Sequence, residues 1–197
     1  MSRSLSKLHP TLKSGDEPFH ADKKRLELTL LDWWRWDASD LVSNTTRGRL
    51  AEFIVAMALH LDPKVIRNDW AEYDLEMPLK KNKFLKIEVK SKAYVQTWDQ
   101  KKLSEISFTV KKAKSLAKRV ADVYVLALLA EKNKGTIDPT NVNQWQFWVL
   151  TSGELNKRER SQHSITLNSL KTEFGSAVSF QKLRTKVLRK AVACKLK

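Results

Sequence analysis

Residues 84–90, Phe-Leu-Lys-Ile-Glu-Val-Lys, alternate apolar and charged side chains with the two-residue period of a β-strand. Leu85, Ile87 and Val89 therefore face one way and Lys86, Glu88 and Lys90 the other. Residues 71–77 alternate in the same manner, with Tyr73, Leu75 and Met77 on one face and Glu72, Asp74 and Glu76 on the other. The polar stretch 78–83 between them begins at Pro78 and suits a hairpin. Antiparallel pairing of the two strands brings Asp74 near Glu88.

The flanking sequence supplies layers for such a hairpin. Residues 47–61 carry Leu50, Phe53, Ile54, Met57 and Leu61 at helical spacing, with Val55, Ala56 and Leu59 on the other sides, which predicts a largely buried helix containing Glu52. Residues 123–129 form a continuous apolar run of strand length, and residues 144–150 alternate around Trp145, Phe147 and Val149, so two more strands are expected. Residues 106–110 read as a strand, 111–119 as a basic helix, and 26–36 and 164–173 as helices. The fold class expected is α/β, with a central mixed sheet flanked by α-helices. Residues 1–25 lack apolar periodicity and read as an arm, 26–185 as one domain, and 186–197 as a basic tail, with no acidic residue after Glu173. Of the tryptophans, Trp33, Trp34, Trp36, Trp70, Trp145 and Trp148 are assigned to the core, and Trp98 to substrate contact.

Charge narrows the choice of partner. The 197 residues include 37 Lys and Arg against 22 Asp and Glu, a formal net charge of +15. Clustered cations gain free energy by displacing counterions from phosphates, so nucleic acid is the expected partner. Between Lys80 and Arg119 there are thirteen basic residues and three acidic ones, which surrounds the acid-bearing hairpin with positive charge. Lys86, Lys92, Trp98, Lys101, Lys102, Lys111 and Lys112 are the candidate nucleic-acid contacts. No G-x-x-x-x-G-K-[ST] loop, no H-E-x-x-H pair and no serine between glycines is present, which argues against nucleotide-binding, zinc-hydrolase and triad-hydrolase chemistry. The single Cys194 excludes an intrachain disulfide. The N-terminus lacks the apolar segment of a secretory signal, no run is long enough to span a bilayer, and a cytoplasmic location is expected.

Asp74 and Glu88 brought together repel each other, and a divalent cation between them relieves the cost. Magnesium, a hard cation that prefers oxygen ligands and retains water, suits such a pair. The ion would stabilise charge on a phosphoryl group under attack and lower the pKa of a water, while Lys90 orients that water or offsets developing negative charge. Glu52 could reach the same ion directly or through water.

In these residues the chain resembles the PD-(D/E)XK nuclease superfamily, over roughly residues 47–130. Asp74 matches the first acid of the family's hairpin, Glu88-Val89-Lys90 its (D/E)-x-K element, and Glu52 the acid of its first helix. Tyr73 stands where the family pattern has proline, which leaves the first acid open between Asp74 and Glu72. The resemblance implies a restriction-endonuclease-like core that hydrolyses DNA with magnesium, manganese substituting. Asp74, Glu88 and the Val89 backbone carbonyl would hold the metal, Lys90 would act on the water, Glu52 would be an auxiliary acid, and Gln96 would support the lysine or the substrate. Two sites are needed to cut both strands of a duplex, which favours a homodimer or a protein partner. Restriction, resolvase and repair or transposition nucleases all share this core. The alternative is a nucleic-acid-binding protein that keeps the nuclease fold without the chemistry.

Overall fold

Seven successive residues of one strand, Val123–Leu129, are all buried, so this strand must be covered on both faces and paired on both edges. A computed structural model, which describes residues 5, 7–80, 82–111, 119–159 and 163–195, shows how. In chain order the elements are β1 (Pro18–Ala21), β2 (Lys24–Thr29), α1 (Leu30–Ala38), α2 (Asn44–Ala58), β3 (Leu75–Pro78), β4 (Phe84–Ala93), β5 (Ser107–Thr109), β6 (Val123–Leu129), β7 (Trp145–Thr151), α3 (Ser152–Asn156), β8 (Ser164–Thr166), α4 (Leu167–Phe174) and α5 (Phe180–Lys195). The central sheet has the order β3-β4-β6-β7. β3 and β7 run antiparallel to their neighbours, whereas β4 and β6 are parallel, so the sheet is mixed.

The two faces of this sheet are packed differently. Leu85, Ile87, Val89, Val123, Val125, Ala127 and Leu129 form one core with Ala51, Val55 and Leu59 of the α2 region and Leu183, Val187 and Ala191 of α5. Tyr124, Leu126, Leu128, Trp148 and Leu150 form a second core with Phe108, Ile165, Leu155 and Leu170. One face is thus covered by two long helices, the other by the small β5-β8 sheet and the short α3 and α4. The expected mixed sheet is present. Its second layer is partly strand rather than wholly helical.

Several expected boundaries move. The segment expected as a helix over 26–36 divides into β2 and α1, because the Asp32 carboxylate accepts hydrogen bonds from the Thr29 amide (2.8 Å) and hydroxyl (2.8 Å), which starts the helix there. β2 pairs with β1, so the expected boundary between an arm (1–25) and a domain (26–185) cuts through a hairpin. Of the six tryptophans expected in the core, Trp145 and Trp148 are buried and Trp34 is half-buried, whereas Trp33 and Trp36 of α1 are exposed, Trp36 by 83%, and Trp70 is 95% exposed. α1 contains no buried residue. Expected as strand from residue 71, the first hairpin strand begins only at Leu75. Residues 164–173 split into β8 and α4, the break set by Thr166, whose hydroxyl accepts the Ser169 amide (3.3 Å) as an N-cap. The basic stretch expected as a tail from residue 186 belongs, as far as Lys195, to α5, whose Val187 and Ala191 lie in the core. The expected basic helix at 111–119 falls largely on residues 112–118, outside the described residues. Among the described residues no helix is long and apolar enough to cross a membrane.

Because α5 closes the first core, Leu183→Ala should cost about 2–5 kcal/mol in urea unfolding. Truncation after Thr185 should lower the unfolding midpoint further still, which a freely solvated tail would not do.

Candidate active site

The β3-β4 hairpin sets the acids. Leu75 lies opposite Ile87 in register, and the Asp74 amide donates to the Ile87 carbonyl (3.1 Å), so pairing continues one residue beyond β3. Asp74 therefore sits beside Glu88. Its carboxylate Oδ2 accepts the Val89 amide at 2.7 Å, which ties the acid of one strand to the middle residue of the Glu88-Val89-Lys90 triplet. Glu72 lies on exposed backbone before the hairpin, while Asp74 is half-buried. Of the two acids left open by the sequence, Asp74 is the one carried into the site.

On β4, alternation holds over the triplet. Val89 is buried in the first core, and Glu88 and Lys90 point to the opposite side, where the Lys90 ammonium contacts Glu88 Oε1. Burial, and then the neighbouring Asp74 charge, raise the Glu88 carboxyl above the usual carboxylate range against the opposing pull of Lys90. Burial works to lower the Lys90 ammonium, but the ion pair with Glu88 and the charge of Asp74 outweigh it and raise its pKa. Lys90 is therefore held protonated. It can donate hydrogen bonds and offset negative charge, but it is not a base near neutral pH.

Glu52 approaches from α2, on its buried side. Burial raises its carboxyl above the ordinary range, opposed by a hydrogen bond from Arg67 and reinforced by the Asp74 charge, and Lys90 acts on it as well. The three acids thus share one electrostatic neighbourhood. The Arg67 guanidinium grips Glu52 through Nε to Oε2 (2.5 Å) and Nη2 to Oε1 (3.2 Å). Arg67 was not anticipated from the sequence. It lies in the irregular connection between α2 and β3, where no periodicity marks a residue as inward-facing.

Tyr124 is a second unanticipated neighbour. It is the register partner of Glu88 on the parallel β6, so the two side chains share a face. Burial, then the Glu88 charge, raise the Tyr124 hydroxyl, while Arg119, whose guanidinium lies 5.6 Å from the ring centroid, opposes the rise. The apolar character of β6 hid this contact, because a tyrosine in a buried run reads as core.

The remaining expected residues divide. Gln96 is buried, with Nε2 donating to the Ala93 carbonyl (3.2 Å) and Ser104 Oγ (3.3 Å) and Oε1 accepting from Arg47 (3.5 Å). These bonds brace the end of β4 against the start of α2. Lys86 lies over the Tyr73 ring (5.1 Å) and Lys92 continues the Glu88-Lys90 face of β4. Trp98, Lys101, Lys102 and Lys111 are exposed, with Lys102 engaged by Glu105 (3.1 Å), and Lys112 lies outside the described residues.

The donor set suits a hard divalent cation in one respect: two carboxylates, Asp74 and Glu88, stand side by side on adjacent strands, and burial disfavours the Glu88 charge. Among the described residues no group of three or more His, Cys, Asp or Glu is arranged to hold a metal by itself. Coordination by Asp74 and Glu88 would have to be completed by backbone carbonyl and water, as magnesium sites commonly are.

A raised Glu88 means that the folded chain binds this proton more tightly than the unfolded chain. That contribution to stability is complete below the ordinary carboxylate range and is lost as pH rises through the raised value. In chelator, Glu88→Gln should therefore melt above the unsubstituted protein near pH 8. The gap should close as pH falls toward about 4.5; a gap that widens on acidification would contradict the assignment.

The family model for bacteriophage T4 endonuclease IV matches residues 5–169, a span that includes Glu52, Arg67, Asp74 and the whole of β4. No curated protein matches the chain. Among solved structures, a bacterial homing endonuclease, I-Ssp6803I, is similar over 79% of this chain and 99% of its own, at 16% identity and a TM-score of 0.41, a likeness too loose to carry an argument. With the family match running over most of its length, the chain belongs to the bacteriophage T4 endonuclease IV family.

Proposed function

We propose that this endonuclease hydrolyses phosphodiester bonds in DNA with magnesium, using a PD-(D/E)XK site in a restriction-endonuclease-like core. The observation that supports the reading most is the 2.7 Å hydrogen bond from the Val89 amide to Asp74, which locks the hairpin acid against the Glu88-Val89-Lys90 triplet. Asp74, Glu88 and the Val89 carbonyl would hold the ion. Bound there, magnesium would polarise a phosphoryl oxygen and make a water more acidic.

The chain's own residues supply the rest. Protonated Lys90, fixed on the same strand face as Glu88, donates to a phosphoryl oxygen as negative charge builds, and the attacking water gives up its proton to solvent. Asp74 is oriented by its backbone donor before substrate arrives, so little reorganisation is needed during reaction. Basic side chains around β4, with Lys86 and Lys92 on the same face, offset the repulsion between a phosphate backbone and three acids. Tyr124, packed beside Glu88, excludes water from the inner side of the carboxylate.

Incubation with plasmid and with single-stranded DNA in magnesium tests the reading. Cleavage should appear with magnesium, disappear in chelator, and fall by about 100-fold or more in Glu88→Ala and Lys90→Ala. Cleavage surviving either substitution would refute the assignment of these residues. Salt-dependent DNA binding with no cleavage would instead support a binding protein that retains the fold.

A further inference from the structure

We propose that Arg67 is a phosphate-binding residue at the edge of this site, presented by Glu52 and occupied by Asp69 until a nucleic-acid phosphate displaces it. The inference rests on the nuclease reading only in taking the ligand to be a nucleic-acid backbone.

The guanidinium has two differently engaged edges. Nε and Nη2 form a fork on Glu52, whose side chain is 12% exposed, while Nη1 pairs with Asp69, whose side chain is 66% exposed. The inner edge is fixed by a bidentate, charge-assisted contact with a nearly buried acid. The outer edge is held by a solvated carboxylate two residues along the chain. An exposed pair of this kind contributes little, since solvent screens it and ordering both side chains costs entropy. A residue serving only to neutralise Glu52 has no need of a second acid on its solvent side.

Arginine suits the part of phosphate ligand. Its planar fork can keep two donors on one carboxylate while a third faces an incoming oxyanion, which the point charge of lysine does not reproduce. Its location adds to the case. The guanidinium grips Glu52, and Glu52 shares the electrostatic neighbourhood of Asp74 and Glu88, so Arg67 stands beside an acid of the site. Lys86, Lys90 and Lys92 approach the acids from β4, and Arg67 adds a cation from the connection before β3, where it grips Glu52. Glu52, tied to Arg67 by two hydrogen bonds, becomes a positioning residue for it rather than a third metal ligand.

The test is binding of a fluorescein-labelled DNA oligonucleotide to the full chain, followed by anisotropy in chelator at several salt concentrations. Arg67→Ala should weaken binding on the order of ten-fold and reduce the slope of log affinity against log salt by about one. Arg67→Lys should restore part of the slope, since it keeps the charge. Asp69→Asn should tighten binding several-fold with an unchanged melting temperature, because it removes the competing carboxylate. Binding and slope unaffected by Arg67→Ala, or no tightening in Asp69→Asn, would overturn the proposal and leave Arg67 as a brace for Glu52. Plasmid cleavage in magnesium is scored separately: these binding shifts in a protein that cleaves nothing would refute the nuclease reading while sustaining the phosphate site.

Discussion

β4 must satisfy two cores and a row of charges at once, and the arrangement of the molecule follows from that demand. Leu85, Ile87, Val89 and Ala93 belong to the core beneath α2 and α5, so the opposite side chains cannot avoid facing the second layer. That side carries Lys86, Glu88, Lys90 and Lys92. Charges near a packed layer are tolerated only when paired or hydrogen-bonded. β3 answers part of this need by lending Asp74 to the Val89 amide, and β4 answers another part internally through Glu88 and Lys90. The neighbouring β6, apolar on both faces, keeps β4 inside the sheet rather than at its edge.

The pairing stops short of neutralising the acids. Glu52 and Glu88 both stay above the ordinary carboxylate range, and in each case burial is the larger cause, with Asp74 adding to it. Like charges kept together under partial burial cost the scaffold stability. This is the usual relation between a functional centre and the stability of its scaffold. Arg67 and Lys90 moderate the conflict from opposite sides, one from the irregular connection before β3 and the other from β4 itself.

What was legible in the sequence was legible because it obeyed a period. The alternation on β4, the seven apolar residues of β6 and the apolar spacing of α2 each reflect a local geometry repeated over several residues. Where a few hydrogen bonds decide an outcome, the period misleads. Thr29 and Asp32 convert one apparent helix into a strand and a helix, and Thr166 does the same between β8 and α4. Trp33, Trp36 and Trp70 show that apolar character alone does not assign burial, since each lies on a segment that the two cores do not enclose.

By itself the sequence determined the α/β class, the hairpin and an acid-bearing strand beside the Glu88-Val89-Lys90 triplet, because strand alternation and hairpin register are local and act over a few residues. Only the tertiary structure decided that Asp74 and not Glu72 lies against the Glu88-Val89-Lys90 triplet, that Gln96 hydrogen-bonds Arg47, and that the basic C-terminal stretch as far as Lys195 is a core helix. It alone brought in Arg67, fifteen residues from Glu52, and Tyr124, thirty-six from Glu88. Those contacts join segments with no shared period, and they exist because the sheet and the buried face of α2 bring distant backbone together.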